Sequence, residues 1–199
     1  MEKTNIGVSE TKVIFVTQKD RDLTNCNDYV KQELRKYWDR DYINECIDLV
    51  GNNLHKMFLR FMWITGVRVS EAIGLRKRDI NFKDYLIRVR WLKSRKYHDR
   101  ILPMHPILKD VLELFVTNLK ADDLVFPFTR QNAFMVCKKH LGGSPHKIRH
   151  SFAVNWLKCD GDLVMLSRVL GHSDIKTTME YLKIVPMDQG KELIKIRFR

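Results

Sequence analysis

Residues 146–158 read HKIRHSFAVNWLK, and their spacing decides how the chain is built. His146, Arg149, His150, Ala153, Val154 and Leu157 recur at steps of three and four, which places them on one face of an α-helix. That face is cationic at its start and apolar below. Pro145 stands immediately ahead, so the helix begins beside His146 and Arg149, with unpaired N–H groups and the positive end of the helix dipole close by. Taken alone, the stretch fits a capped surface helix as well as an anion site. His146 and His150, four residues apart, also fit a zinc pair, although no Glu follows His146 and no third ligand lies nearby in sequence.

Toward the C-terminus, LGHSDIKTTMEYL at 170–182 closes one helix at Gly171 and opens another at Ser173 or Asp174, leaving His172 at the junction and Tyr181 nine residues on. Helix, glycine turn and second helix resemble a helix-turn-helix. Toward the N-terminus, Leu54–Ile64 is apolar enough for a buried helix, Gly66 suits a left-handed cap, and TGVRVSEAIGL at 65–75 starts a further helix near Ser70 and Glu71. Between these landmarks Asp84–Trp91 alternates apolar and basic residues, and Arg100–Pro103 is extended again. The pair predicts a β-hairpin with a basic loop over Lys93–Asp99. Helices are predicted at Ile107–Leu119, Gln131–Leu141, His146–Lys158, Leu163–Leu170 and Ile175–Leu182, with amphipathic helix over Asn27–Leu49. The fold class is therefore mainly α with a small antiparallel β-sheet (α+β).

The chain has 199 residues, 44% of them hydrophobic, enough for one main domain with a substantial core. Its net charge is +12. Residues 20–48 carry eight acidic and five basic side chains, so the basic excess belongs to the later segments and points to a polyanionic partner. Four widely spaced cysteines without a CxxC pair argue against a disulfide framework or zinc ribbon and fit a reduced compartment. No stretch approaches the roughly 20 apolar residues of a membrane span, and MEKTNIGVSE is no signal peptide. Cytoplasmic or nucleoid-associated localisation is expected, without a membrane partner.

The conjunction of TGVRVSEAIGL, HKIRHSFA and LGHSDIKTTMEYL, in that order, resembles the catalytic domain of the tyrosine recombinases, the family of phage integrases, Xer-type resolvases and site-specific invertases. The resemblance covers roughly residues 50–185. It implies that Arg68 is the family's first arginine, His146 and Arg149 its histidine and second arginine, His172 its next basic position and Tyr181 its nucleophile. His150 and Glu71 fall on supporting positions. WLKSRKYHDRILP at 91–103 resembles the family's lysine-bearing hairpin, with Lys93 preferred to Lys96 because it sits where the first strand turns.

The residue types suit the chemistry this implies. A phenol with an ordinary pKa of about 10 attacks poorly at neutral pH unless its developing charge is stabilised. Arg68 and Arg149 would clamp a phosphate with planar, permanently charged donors and stabilise the pentavalent transition state. His172 would bond a non-bridging oxygen, His146 would assist proton transfer near Tyr181, and Lys93 would protonate the departing sugar oxygen. A phosphotyrosine link exchanges one phosphodiester for another, so no ATP, cofactor or metal is expected. Arg88, Arg90, Arg95, Lys96 and Arg100, with Lys138 and Lys139, form a candidate DNA-contacting rim, or a solvated hairpin edge.

The resemblance also sets expectations of organisation. Residues 1–19 read as an N-terminal arm, 20–190 as the catalytic domain and 191–199 as a tail whose Ile194, Ile196 and Phe198 alternate like an edge strand. No separate N-terminal core-binding domain is expected, which leaves a fragment of a longer integrase or a short stand-alone recombinase; the initiating methionine leans toward the latter. The expected activity is site-specific recombination of double-stranded DNA through a 3′-phosphotyrosine, by a homo-oligomer forming a synaptic tetramer, with accessory DNA-bending proteins. The alternatives are a helix-turn-helix regulator without catalysis and a type IB topoisomerase-like activity.

Overall fold

The computed structural model describes residues 37–93 and 96–185. The expected arm at 1–19 and tail at 191–199 lie outside the described residues. Helix α1 (Arg40–Asp48) buries Ile43 and Ile47, one turn apart. Helix α2 (Asn53–Thr65) is capped by Asn52, whose side chain accepts the His55 N–H, and buries Met57, Phe58, Leu59, Phe61, Met62, Trp63 and Thr65. So continuous an apolar surface belongs to a central helix. Gly66 ends it at φ +64°, where an added Cβ would come within 2.3 Å of Phe152 Cδ1. Helix α3 (Val69–Ile73) follows at once, its first turn closed by the Glu71 carboxylate accepting the Arg68 amide.

A 3₁₀ turn at Lys77–Asp79 leads into strands β1 (Ile80–Asn81), β2 (Leu86–Lys93) and β3 (Lys96–Pro103), an antiparallel sheet in that order. The predicted seven-residue loop at 93–99 is thus mostly ladder, because the strands continue until Lys93 pairs with Lys96. Its polar composition hid this. Strand residues need be apolar on only one face, and Arg90 stands opposite Asp99, a cross-strand pair of opposite charge.

Helix α4 (Pro106–Phe115) stops before the predicted end at Leu119. Thr117 Oγ1 bonds back to Glu113 O, and Lys77 Nζ takes the carbonyls of Thr117 and Leu119, so an incoming side chain satisfies what another helical turn would have. Helices α5 (Arg130–Leu141), α6 (Pro145–Lys158) and α7 (Leu163–Leu170) lie close to their predicted ranges, with Thr129, Ser144 and Asp162 at the N-caps and Gly142 and Gly171 closing α5 and α7 in left-handed conformation. The last predicted helix divides into α8 (Lys176–Met179) and a 3₁₀ turn at Glu180–Lys183. Two adjacent threonines weaken the α-form there, and helix ends tighten readily to 3₁₀.

Two apolar clusters hold the molecule together. The larger gathers α1 to α6 and the sheet, with Phe58, Phe61 and Phe126 fully buried at its centre. The smaller joins Ala153, Val154, Leu166, Leu170, Tyr181 and Ile184. Phe152 packs against both, so α6 is the seam between them. Its far side is polar but satisfied: Ser151 Oγ accepts the Trp38 amide at 2.7 Å, and Asn155 donates to Trp38 O at 3.0 Å. Among the described residues no helix is long and apolar enough to cross a membrane.

Candidate active site

The seam is where the three sequence motifs meet. Helix α7 ends at Leu170, and its last carbonyls need donors. Arginines from three other elements provide them. Arg149, 3% exposed on α6, donates from Nη2 to Leu170 O at 2.7 Å and from Nη1 to Gly66 O at 2.8 Å. Arg68, at the N-cap of α3, donates to the same Leu170 O at 3.3 Å and to Gly171 O at 3.5 Å. Arg100, from β3, donates through Nε to Val169 O at 3.0 Å. The negative end of the α7 dipole favours this gathering of cations.

One carboxylate, Glu71, is set into the cluster. Its side chain is fully buried, and it accepts both Arg100 Nη1 and Nη2 at 2.8 and 2.9 Å and Arg68 Nη1 at 3.0 Å. Burial pushes its carboxyl up, but the hydrogen bonds and charge of Arg100, with the Arg68 amide and charge, outweigh this and hold it below the usual carboxylate range. Three guanidiniums against one carboxylate leave the cluster with two surplus positive charges. That excess suits a phosphodiester.

His172 follows the Gly171 turn, half-buried, its Nδ1 within 2.8 Å of the Thr178 hydroxyl. Burial, then the charges of Arg149, Arg68 and Arg100, bring its pKa down to about 4, so the ring is neutral at pH 7. In the tautomer where Thr178 donates to Nδ1, the proton sits on Nε2 and offers a donor to an oxyanion. Arg149 is itself lowered to about 10, by burial first and Arg68 next, and stays a cation at neutral pH. Tyr181 is 8% exposed on the terminal 3₁₀ turn, its ring 5.0 Å from that of His150. Burial raises its phenol, and the pull of Arg149 and Arg68 offsets this only in part.

Arg68 and Arg149 thus share the Leu170 carbonyl, and their charge bears on His172 and Tyr181. His146 is exposed at the start of α6. Among the described residues no three His, Cys, Asp or Glu side chains converge as metal ligands would. Lys93 and Lys96 face one another as the last ladder pair, four steps beyond Val89↔Arg100; their side chains and Arg95 lie outside the described part of the structure. Of the other predicted rim residues, Lys138 and Lys139 are exposed in the last turn of α5. Arg88 and Arg90 remain partly exposed, both bonded to the buried Asp79 carboxylate.

Arg100 does not sit on the rim. Its side chain is only 10% exposed and belongs to the inner cluster. The signal was present in the strand period: Arg100 is in phase with the buried Leu102, whereas Ile101 is 56% exposed. Thr178, 0% exposed, was also passed over, although it stands in the Thr-Thr pair just ahead of Tyr181.

The chain is similar to known proteins in sequence and in fold. The chain is 28% identical over 173 residues to the tyrosine recombinase XerA of Pyrococcus horikoshii, covering 79% of this chain and 60% of that protein. It is 31% identical over 150 residues to the tyrosine recombinase XerD of Halalkalibacterium halodurans, covering 65% and 49%. The chain therefore spans about 60% or less of the length of these curated relatives. Its fold matches the catalytic domain of bacteriophage HP1 integrase with a TM-score of 0.62 at 22% identity, over 80% of this chain and 94% of that one. It matches the XerA recombinase crystal structure with a TM-score of 0.64 at 22% identity, over 81% and 64%. The model of the phage integrase family matches residues 41–186, and by that match, across all three motifs, this chain belongs to the phage integrase family.

Proposed function

We propose that this chain cleaves and rejoins double-stranded DNA as a tyrosine recombinase. The observation that carries the reading is the convergence of Arg68 and Arg149 on the single carbonyl of Leu170, one residue before the turn that presents His172. A scissile phosphate would exchange part of this carbonyl bonding for its own non-bridging oxygens. Arg68, the more open of the two with a side chain 40% exposed, is the arm that meets it first. His172 adds the Nε2–H donor. The Tyr181 oxygen attacks phosphorus, a 3′-phosphotyrosine bond forms, and the 5′ oxygen leaves with a proton from the hairpin lysine, Lys93 or Lys96. The phenolic proton passes to a nearby base, for which exposed His146 is the candidate. Rejoining reverses each transfer.

Several features support the assignment over its rivals. A helix-turn-helix regulator would present a recognition helix, but α8 has four residues, little more than one turn. A regulator also gives no reason for burying Arg149 with Arg68 on the same carbonyl. Arg88, Arg90, Lys138 and Lys139 are proposed to touch the DNA backbone, with Arg95 and Lys96 at the hairpin end. The relatives are recombinases, and solved neighbours include the XerH recombinase bound to its difH substrate. We propose further that this chain acts as a homo-oligomeric synapse on DNA, assisted by accessory DNA-bending proteins.

The test is capture from a pool of nicked suicide duplexes with randomised sequence, resolved by denaturing electrophoresis. A covalent protein–DNA band that disappears in Tyr181→Phe is expected. Its absence with the native chain refutes catalysis, while relaxation of a supercoiled plasmid without strand exchange replaces recombination by topoisomerase-like action.

A further inference from the structure

Arg100 is the arginine of the cluster that the cleavage chemistry above does not use, although its side chain is only 10% exposed. Its planar fork lies on both oxygens of Glu71, and its Nε holds Val169 O. The fit is close: a Cβ on Gly171 would come within 3.0 Å of Arg100 Nη1. Glu71 in turn holds the amide and guanidinium of Arg68. Arg100 therefore links three of the elements that build the site. These are α3 through Glu71, the last turn of α7 that receives Arg68 and Arg149 and leads to His172, and β3, whose ladder runs from Val89↔Arg100 to Lys93↔Lys96. A buried ion pair adds little net stability over well-packed apolar residues, because desolvation cancels most of the attraction. What a bidentate fork does provide is a fixed angle and distance.

We propose that Arg100 is a positioning residue for DNA cleavage: it locks β3, the start of α3 and the C-terminal turn of α7 into one frame, so that the arginine pair, His172 and the hairpin lysine address a single phosphate. This rests on the recombinase reading. A misplacement of about 1 Å far from the reacting atoms costs a rate on the order of 10²-fold, and that is the size of effect expected. Arg100 touches no DNA in this role, so affinity should be spared.

The experiment compares the full chain with R100Q and R100K, at a temperature where circular dichroism shows all three folded. It measures the single-turnover rate of covalent adduct formation at saturating enzyme, on a duplex selected by the wild type, together with DNA affinity. R100Q is expected to slow adduct formation on the order of 10²-fold while its Kd stays within about threefold, and R100K, which keeps the charge but not the fork, to recover only a minor part of the rate. A wild-type rate in R100Q overturns the proposal, as does a loss of affinity that matches the loss of rate, which would return Arg100 to the DNA rim. Full recovery in R100K overturns the fork geometry as the cause. A second readout needs no DNA: the His172 imidazole, followed by NMR, should titrate at higher pH in R100Q, because a like charge has left and its turn has loosened. If the wild type forms no adduct, the recombinase reading fails by itself, and an unmoved His172 titration refutes the Arg100 frame.

Discussion

Replacing Gly66 with alanine tests the junction on which the site is hung. Gly66 sits at φ +64°, and its new Cβ would meet Phe152 at 2.3, 2.7 and 2.9 Å from three ring carbons. A left-handed backbone costs a residue with a Cβ about 1–2 kcal/mol. Displacing a ring packed against both apolar clusters adds about 1–3 kcal/mol of overpacking strain. The expected loss is therefore about 2–5 kcal/mol, which for a domain of this size lowers Tm by roughly 4–20 °C. Gly66 O also accepts Arg149 Nη1, so adduct formation should fall in the surviving folded fraction. The assay is urea unfolding of Gly66→Ala, Phe152→Ala and the double variant. Truncating the ring removes the clash but not the backbone strain, so the two substitutions should be non-additive, the double variant being more stable than the singles predict by about 1–3 kcal/mol. Additivity within about 0.5 kcal/mol, or a Gly66→Ala loss below that, would refute the reasoning.

Three further outcomes follow from the same cluster. Glu71→Gln removes the carboxylate while leaving Arg68, Arg100 and Arg149 in place, and should destabilise the fold by about 3–5 kcal/mol by chemical denaturation; a change under about 1 kcal/mol would show that its charge is dispensable. Thr178→Val keeps the shape of a fully buried side chain but withdraws the hydroxyl from His172 Nδ1. Cleavage should slow by about tenfold, the equivalent of one lost hydrogen bond, and an unchanged single-turnover rate would remove Thr178 from the site. The depressed His172 pKa makes stability depend on pH with a definite sign. The folded ring resists protonation down to about 4 whereas the unfolded chain takes a proton near 6.5, so stability present above pH 6.5 is lost as pH falls toward 4. The shift corresponds to about 3 kcal/mol, and solvent screening of a half-exposed ring reduces this to the order of 1 kcal/mol. His55 and His140, both lowered by burial, titrate in the same direction, so His172→Asn should remove only part of the slope between pH 7 and 5.

Much of this molecule was legible before any tertiary contact was known. Helices α5, α6 and α7 begin and end within about one residue of the ranges their periodicity predicts, because helical periodicity and capping act over about four residues of continuous chain. The glycine at 66 announced its left-handed turn for the same reason. The candidate residues Arg68, Arg149, His172 and Tyr181 stood in short motifs whose conjunction resembles one family, and that resemblance, not spacing alone, singled them out. What sequence could not disclose was partnership across the chain. Which carboxylate an inward Arg100 meets, whether the chain after Phe115 stays helical or yields its carbonyls to Lys77, and which oxygen the two arginines share were all decided by segments 29 to 102 positions apart. A guanidinium is equally at home on a wet rim or on a buried carboxylate. Only the packing of α6 between two apolar clusters, which carries the end of α7 to the start of α3, determines which of those partners is within reach.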